Sequence, residues 1–553
     1  MTPANTVRLL DFLNHLNLVD RSDGNAEEGN VTGLPFEQLR TAPLFSSQLL
    51  ATLESSGASA EHGVTASELL PQYGLMGLCL ETYGDDGAQD SDFDCHQSNN
   101  ASDRLVYSNT NAPWSTFICG SQGSGKSHTL SCMLENSLLV PSSTGRITAP
   151  LTALVLHYDK FTGIESSQVC EAAYLCSSGI PVRVLVSPSN LTHMKKLYEN
   201  LPGLPEGCKR PEVIPLKFVE KHLNIGMMKS LMAVGSEGST PLYMEVVTKI
   251  LREMAEDDQP FDFVDFKKRL GSEHWLNGQA SPLEMRLRLL ESFLVIDKAE
   301  LQGQSLQKPK KRKKKGGKTK QTHDGLPKAV KSGSEVWDFL KGSLTIVDLS
   351  CPFVDENDAC ALFNICISIF LEGRKKAGRI VALDEAHKFL TTRSREAANL
   401  TETMLSLIRQ QRHLATRVII ATQEPTLSPS LLDLCNVTIV HRFMSPAWFK
   451  MLRNHLAGAI VGQFDTKDSD CEANLFSRIV RLKTGECLVF CPSAILCVET
   501  SMETPSSTST DDLHGVALVK VSNMHPRELG PRYFRMKIRK RVTVDGGRSI
   551  LAQ

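Results

Sequence analysis

An excess of charge of either sign is missing from this 553-residue chain: 61 Lys plus Arg stand against 62 Asp plus Glu. That excludes a globally basic, histone-like binder, so any nucleic-acid surface has to be local. A bilayer-length apolar run is missing too. The longest, around ACALFNICISIFL, is too short and too mixed to span a membrane. The opening MTPANTVRLLDFLNHLNLVDR is broken by Asn, His and Asp, and no cleavage pattern follows, which argues against a signal peptide. These absences predict a soluble intracellular protein with no membrane partner. Paired CxxC spacing is also absent. The 15 Cys are scattered, which disfavours a zinc module or a disulfide framework and predicts reduced, mostly buried thiols. What remains is 41% hydrophobic and 22% charged, enough for a sizeable core, in a chain longer than one ordinary domain needs.

Residues 1–112 are rich in Ser, Asn, Asp and Gly and read as a variable, partly disordered region with few strands; DDGAQDSDFDCHQSNNASD (85–103) reads as an acidic loop. The texture changes at WSTFICG (114–120), a short apolar run ending in glycine. TALVLHYDK (152–160) and PVRVLVSP (181–188) are further buried-strand candidates, so 113–200 reads as the first part of an α/β core. Residues 201–300 read as a helical insertion, with apolar residues at three- and four-residue spacing in YMEVVTKILREMAE, FVDFKKRL and PLEMRLRLLESFLVI. A basic loop, predicted disordered, occupies 301–335: KPKKRKKKGGKTK (308–320) has nine Lys or Arg in thirteen positions. Its functional readings are a nuclear import signal, which would place the protein in the nucleus rather than the cytoplasm, or a phosphate-backbone tether. The strand pattern resumes over 336–500 with SLTIVDLS, GRIVALDEAHKFL, TRVIIATQEP, NVTIVHRF and GECLVFCP. Strands alternating with helices predict an α/β fold with a mostly parallel sheet. In the C-terminal segment 501–553, RYFRMKIRKR (532–541) reads as an edge strand with an exposed basic face.

Gly120-Ser121-Gln122-Gly123-Ser124-Gly125-Lys126-Ser127 fits G-x-x-x-x-G-K-S between a strand and a helix, with His128 next in line. Glycines let the backbone approach phosphates closely, and the loop N–H groups and helix start attract the anion. Lys126 would reach the β- and γ-phosphates and Ser127 would hold Mg²⁺. The strand IVALDEAH ends in Asp384 and Glu385, where open α/β sheets bind ligands. Asp384 would hold Mg²⁺ and Glu385 would polarise an attacking water. The bland reading of that pair is a helix N-cap. Gln423, ending TRVIIATQEP, is the candidate for sensing the γ-phosphate; otherwise it is a satisfied strand-end amide. Arg409, Arg412 and Arg442 are candidates for stabilising the transferred phosphoryl charge from a neighbouring subunit, against the commoner role of solvated surface residues. His387 either couples the hydrolysis site to another element or is a packed histidine.

The order of these pieces resembles the HerA/FtsK superfamily of hexameric P-loop motors, most closely its HerA branch. The matching positions are Asp348 on the strand before the acidic pair, Arg412 with His413, Gln423 and Pro425, Cys435 with Asn436 and Arg442, and Gly485 with Glu486. The resemblance covers about 113–500. It implies a RecA/FtsK-like P-loop ATPase core, ATP and Mg²⁺ as ligands, a homohexamer, and translocation on or unwinding of double-stranded DNA, with a nuclease partner compatible with that role. It also implies a trans-acting or sensing role for Arg412 and Arg442. Residues 1–112 do not read as the N-terminal β-barrel of HerA proteins, and the basic loop is extra. LDEAHKFL also evokes DEAH-box helicases, but those hold their two nucleotide motifs much closer together than Lys126 and Asp384, and carry Ser-Ala-Thr where ATQ stands here. The alternative is an ATP-gated switch that changes protein partners without moving DNA.

Overall fold

TRVIIAT (Thr416–Thr422) is buried along its whole length. Such a strand needs apolar cover on both sides, and its alternating side chains supply two cores. Val418 and Ile420 join one apolar cluster; Ile419 and Ala421 join another. The same split recurs at Phe117 against Ile118, Leu154 against Val155, and Leu383 against Ala382. Period-two alternation with apolar residues on both faces is the signature of a sheet between two helical layers.

The structure is a computed structural model. It describes residues 34–57, 66–84, 101–140, 142–160, 168–219, 222–223, 227–228, 231–232, 243–256, 261–275, 280–295, 335–372, 378–391, 394–425, 427–456, 469–500 and 524–546. Among these, sixteen strands share one sheet. They are β1 (Leu44–Ser46), β2 (Tyr73–Tyr83), β3 (Leu105–Asn109), β4 (Ser115–Cys119), β5 (Gly145–Arg146), β6 (Thr152–His157), β7 (Val182–Val186) and β8 (Glu212–Pro215). They continue with β9 (Leu344–Asp348), β10 (Arg379–Asp384), β11 (Thr416–Thr422), β12 (Val437–His441), β13 (Glu486–Phe490), β14 (Ile495–Thr500), β15 (Met524–Glu528) and β16 (Tyr533–Ile538).

The core runs β12-β4-β11-β10-β6-β9-β7-β8, and every neighbouring pair in it is parallel. This is the expected α/β core with a mostly parallel sheet. One strand, β11, separates β4 from β10, so the loop after β4 and the acidic pair after β10 share one edge of the sheet. The chain crosses between these parallel strands by way of helices: α1 (Lys126–Leu138) follows β4, and further on come α2 (Tyr243–Glu256), α3 (Phe263–Ser272), α4 (Ala280–Phe293), α5 (Glu356–Glu372) and α6 (Arg395–Arg409). Helix α1 packs into one cluster through Leu130, Cys132, Met133 and Leu134; α2 to α6 pack into the other. At roughly 1.5–3 kcal/mol per buried large apolar side chain, these faces are the main drive for the layering.

Three sequence expectations need correction. Residues 1–112 were expected to hold few strands, yet β1, β2 and β3 extend the sheet through mostly antiparallel pairings with β14, β16 and each other. In YGLMGLCLETY the buried residues only partly alternate, because register shifts interrupt the pairing. The stretch read as helical from 201 includes a strand, β8, paired parallel to β7. And β16 is no edge strand: it lies between β13 and β2. Lys537 and Lys540 are exposed, but the arginines that follow are not. Arg539 and Arg541 are 7% and 1% exposed and gather around Glu135 of α1, with Arg539 Nη1 2.7 Å from Glu135 Oε2. Residues 85–100 and the basic run at 308–320 lie outside the described residues, as does the N-terminal segment before residue 34. No described helix is long and apolar enough to cross a membrane.

Candidate nucleotide site

The strand β4 is buried throughout and delivers the chain into Gly120–Ser127. Gly120, Gly123 and Gly125 have φ of +155°, +71° and +116°. At Gly120 the reason is also spatial: a Cβ there would lie 2.6 Å from His441 Cβ and 2.7 Å from Ser124 Oγ. The loop is braced by its neighbours. Ser121 donates its N–H and its hydroxyl to the Arg442 carbonyl at 2.9 and 2.8 Å. Ser124 donates its hydroxyl to Ser121 O at 2.7 Å, and Gly485 donates its N–H to Ser124 O at 3.3 Å. His441 Nε2 meets Thr129 Oγ1 at 2.9 Å while its Nδ1 meets the Glu486 carbonyl at 3.0 Å. Burial pushes the His441 imidazole down to about 4, so it is neutral at pH 7 and holds the first turn of α1 as a hydrogen-bonding strut.

Lys126 opens α1, is buried, and donates Nζ to Ser121 O at 3.1 Å. Burial pushes its ammonium pKa down, and Glu385 and Asp384 partly oppose that. Gln122 and Gly123 are exposed, and a Cβ on Gly123 would meet nothing within 4 Å. The loop tip therefore faces open space with its lysine drawn inward. Ser127, partly exposed in the first turn of α1, follows directly.

Glu385 has φ 53° and ψ 43°, a left-handed conformation that costs a non-glycine residue roughly 1–2 kcal/mol. It is buried, and its Oε1 accepts from Gln423 Nε2 at 2.9 Å. Its Oε2 lies 3.5 Å from His387 Nδ1 and accepts no hydrogen bond among the described residues. His387 Nδ1 accepts the Gln423 N–H at 3.3 Å, and burial pushes the imidazole down. Glu385 stands at the N-cap position of the short turn Ala386–Lys388 but gives it no side-chain cap hydrogen bond. Strain at a buried carboxylate on a strand end is a mark of a functional position.

Asp384 is buried beside His157, with Oδ2 3.4 Å from Nδ1 in a charge contact too poorly aligned for a hydrogen bond. Burial raises the Asp384 carboxyl, but His157 and Lys126 hold it below the usual carboxylate range. Burial also pushes His157 down, and Asp348 and Asp384 outweigh it, lifting the imidazole to about 9. Asp348, at the end of β9, accepts from Tyr198 Oη at 2.6 Å and from the Ser350 N–H at 3.0 Å.

Loop, lysine, acidic pair and Gln423 therefore meet at one edge of the sheet. The arginines do not. Arg442 offers the loop its carbonyl, with its side chain partly exposed. Arg409 and Arg412 are exposed ahead of β11, at the opposite end of that strand from Gln423, about 20 Å from the loop of their own chain by strand length. His128 turns from the loop to the C-terminal segment, with Nε2 2.8 Å from the Arg539 carbonyl. Asn436 accepts the Ser115 N–H at 3.0 Å and so fixes the base of β4. The sequence reading missed Glu171. Burial and then Asp384 raise its carboxyl to about 7, and it in turn raises Lys126. It also missed His441 and Cys170. A histidine ending a buried strand was the one visible signal, at His157 and His441.

No protein-family model and no curated protein sequence matches this chain. Solved structures do. VirB4 of Thermoanaerobacter pseudethanolicus aligns at 11% identity and a TM-score of 0.37, over 75% of this chain and 94% of that one. The genome packaging NTPase B204 of Sulfolobus turreted icosahedral virus 2, in complex with ATP-gammaS, aligns at 14% identity and a TM-score of 0.19, over 27% of this chain and 62% of that one. Its complex with AMPPCP aligns at 15% identity and a TM-score of 0.20, over 29% and 67%. The solved structures to which this chain is similar thus include VirB4 and the packaging NTPase B204.

Proposed function

We propose that the chain is an ATP hydrolase working as a ring-shaped motor on double-stranded DNA, a homohexamer of the HerA/FtsK type. One observation supports the hydrolase part above all: a strained, buried Glu385 beside the phosphate loop, with one carboxylate oxygen tied to Gln423 and the other free of hydrogen bonds among the described residues. A carboxylate so placed can accept a proton from water approaching the γ-phosphate.

The donor set suits Mg²⁺. The Ser127 hydroxyl and the Asp384 carboxylate are hard oxygen ligands, and Mg²⁺ takes one or two such protein ligands beside phosphates and waters. When bound, that ion neutralises charge on the β- and γ-phosphates. The residues of this chain do the rest. The loop N–H groups and the start of α1 cradle the phosphates. Lys126 exchanges the Ser121 carbonyl for phosphate oxygens. Gln423 orients Glu385 and reports the γ-phosphate to β11. Arg412, far from its own loop, is available to the loop of a neighbouring protomer; Arg442 sits at the loop's edge in its own chain.

The DNA part of the reading rests on the motif series at Asp348, Arg412, Gln423, Asn436 and Gly485. It is tested by measuring ATP turnover with and without double-stranded DNA, on protein sized by light scattering. A ring-sized particle whose turnover rises several-fold with DNA supports the motor. Turnover indifferent to DNA, in a monomer or dimer, contradicts it and favours an ATP-gated switch.

A further inference from the structure

Three buried side chains beneath the nucleotide site converge on one point. His157 Nδ1 lies 3.4 Å from Asp384 Oδ2, and Cys170 Sγ lies 3.7 Å from the same oxygen. One donor atom from each residue falls within 4.8 Å of the other two. They come from the end of β6, the segment before the Glu171–Ser178 turn and the end of β10, so the fold itself brings them together.

The two separations to Asp384 Oδ2 are those of a metal's ligand shell, and the His157–Cys170 pair lies within 4.8 Å. A tetrahedral zinc with bonds of ~2.0 Å to nitrogen and oxygen and ~2.3 Å to sulfur separates N from O by about 3.3 Å and S from O by about 3.5 Å. Both observed separations agree to within a few tenths of an ångström. The imidazole is also oriented for the task. His157 Nδ1 is buried and makes no hydrogen bond among the described residues, while Nε2 faces the Gln168 carbonyl at 3.4 Å. A histidine ligand typically donates its remote N–H to such a carbonyl, which leaves the near nitrogen to bind the ion in exchange for its proton.

We propose that His157, Cys170 and Asp384 form a binding site for a thiophilic divalent cation of the zinc class. Thiolate and imidazole favour zinc over magnesium, whose preference is for oxygen. On binding, the Sγ proton and the Nδ1 proton leave to solvent, and the ion takes their place between the three side chains. The consequence is regulatory: zinc occupies the carboxylate that Mg·ATP requires, so it inhibits turnover. That consequence rests on the ATPase reading; the site itself does not.

The test is a Co²⁺ titration of the reduced, nucleotide-free full chain. The expected result is a near-ultraviolet thiolate-to-cobalt absorption with tetrahedral visible bands, saturating near one equivalent and erased by Zn²⁺. Cys170→Ser removes the near-ultraviolet band. Because a buried cysteine variant can fail to fold, Asp384→Asn provides a second reading, with the apparent affinity falling at least tenfold. No thiolate band in the wild type, a band unchanged in a folded Cys170→Ser variant, or an apparent affinity unchanged in a folded Asp384→Asn variant overturns the site. Inhibition by zinc that excess Mg·ATP relieves supports the regulatory role. Loss of hydrolysis in zinc-free wild type would defeat the ATPase reading while leaving the cobalt spectrum to decide the site.

Discussion

Gln423 donates Nε2 to Glu385 Oε1 at 2.9 Å, tying the end of β11 to the end of β10. A hydrogen bond to a charged group contributes about 1.5–3 kcal/mol, or roughly ten- to a hundredfold in rate if it acts only on the reacting carboxylate. Gln423→Ala should therefore lower kcat by about that factor and leave nucleotide affinity unchanged. Steady-state kinetics with equilibrium binding of a labelled nucleotide separates the two. A raised KM with an unchanged kcat would contradict an orienting role.

Gly120 and Gly123 should respond differently to alanine. At Gly120 the added Cβ collides with His441 Cβ and Ser124 Oγ, so the loop has to move. At Gly123 the Cβ meets nothing within 4 Å, and the cost is confined to backbone strain of roughly 1–2 kcal/mol. Gly120→Ala should weaken nucleotide binding more than tenfold, and Gly123→Ala by less. Comparing the two dissociation constants checks the order.

Glu135 anchors the C-terminal segment to α1. It accepts from Arg539, from the Val542 N–H and from the Thr543 N–H and hydroxyl. Burial raises its carboxyl, but the Thr543 and Arg539 hydrogen bonds outweigh this and hold it below the usual 4.5. The carboxylate's contribution is thus present above pH 4.5 and lost as pH falls through the lower folded value. Glu135→Gln should cost about 1.5–3 kcal/mol at neutral pH by removing the charged partner of Arg539, which keeps its hydrogen bonds to the Leu75 and Cys132 carbonyls and Asn136 Oδ1. The gap in Tm between variant and wild type should narrow below about pH 4. A gap independent of pH would contradict the charge-based account.

Glu171 has the opposite sign. Its folded carboxyl is raised to about 7 by burial and by Asp384. Protonation is favoured in the fold, so the stabilising contribution is complete below the unfolded value of 4.5 and is lost as pH rises through about 7. Glu171→Gln should be neutral near pH 4.5 and stabilising by on the order of 2 kcal/mol at pH 8. Thermal melts at the two pH values read this directly; equal effects at both would contradict it.

The parallel core was legible because its strands are continuous β-branched runs, as in LTIVD and TRVIIAT, and because glycines, lysine and acids have fixed places around a phosphate loop. Local pattern could not show what long-range pairing decides. β8 is the short, polar-edged EVIP, and β2 carries two glycines. The basic ending of β16 looked solvated because its partner, Glu135, lies on α1 far back in the sequence. The motif positions at Asn436, Arg442 and Gly485 were visible as a series. Their task as braces of the loop through Ser115, Ser121 and Ser124 became visible only in three dimensions. The His157–Asp384 contact and the remoteness of Arg412 from its own loop likewise depend on tertiary structure.

The most direct test of the account is the ATP turnover of Glu385→Gln beside wild type, with nucleotide binding measured on the same preparations. The substitution keeps the shape and removes the base. It should lower kcat by about 10²- to 10⁴-fold while nucleotide still binds. Wild-type turnover that survives unchanged in the variant, or a wild type that binds no nucleotide, would contradict the claim that Glu385 and the phosphate loop form a hydrolytic site.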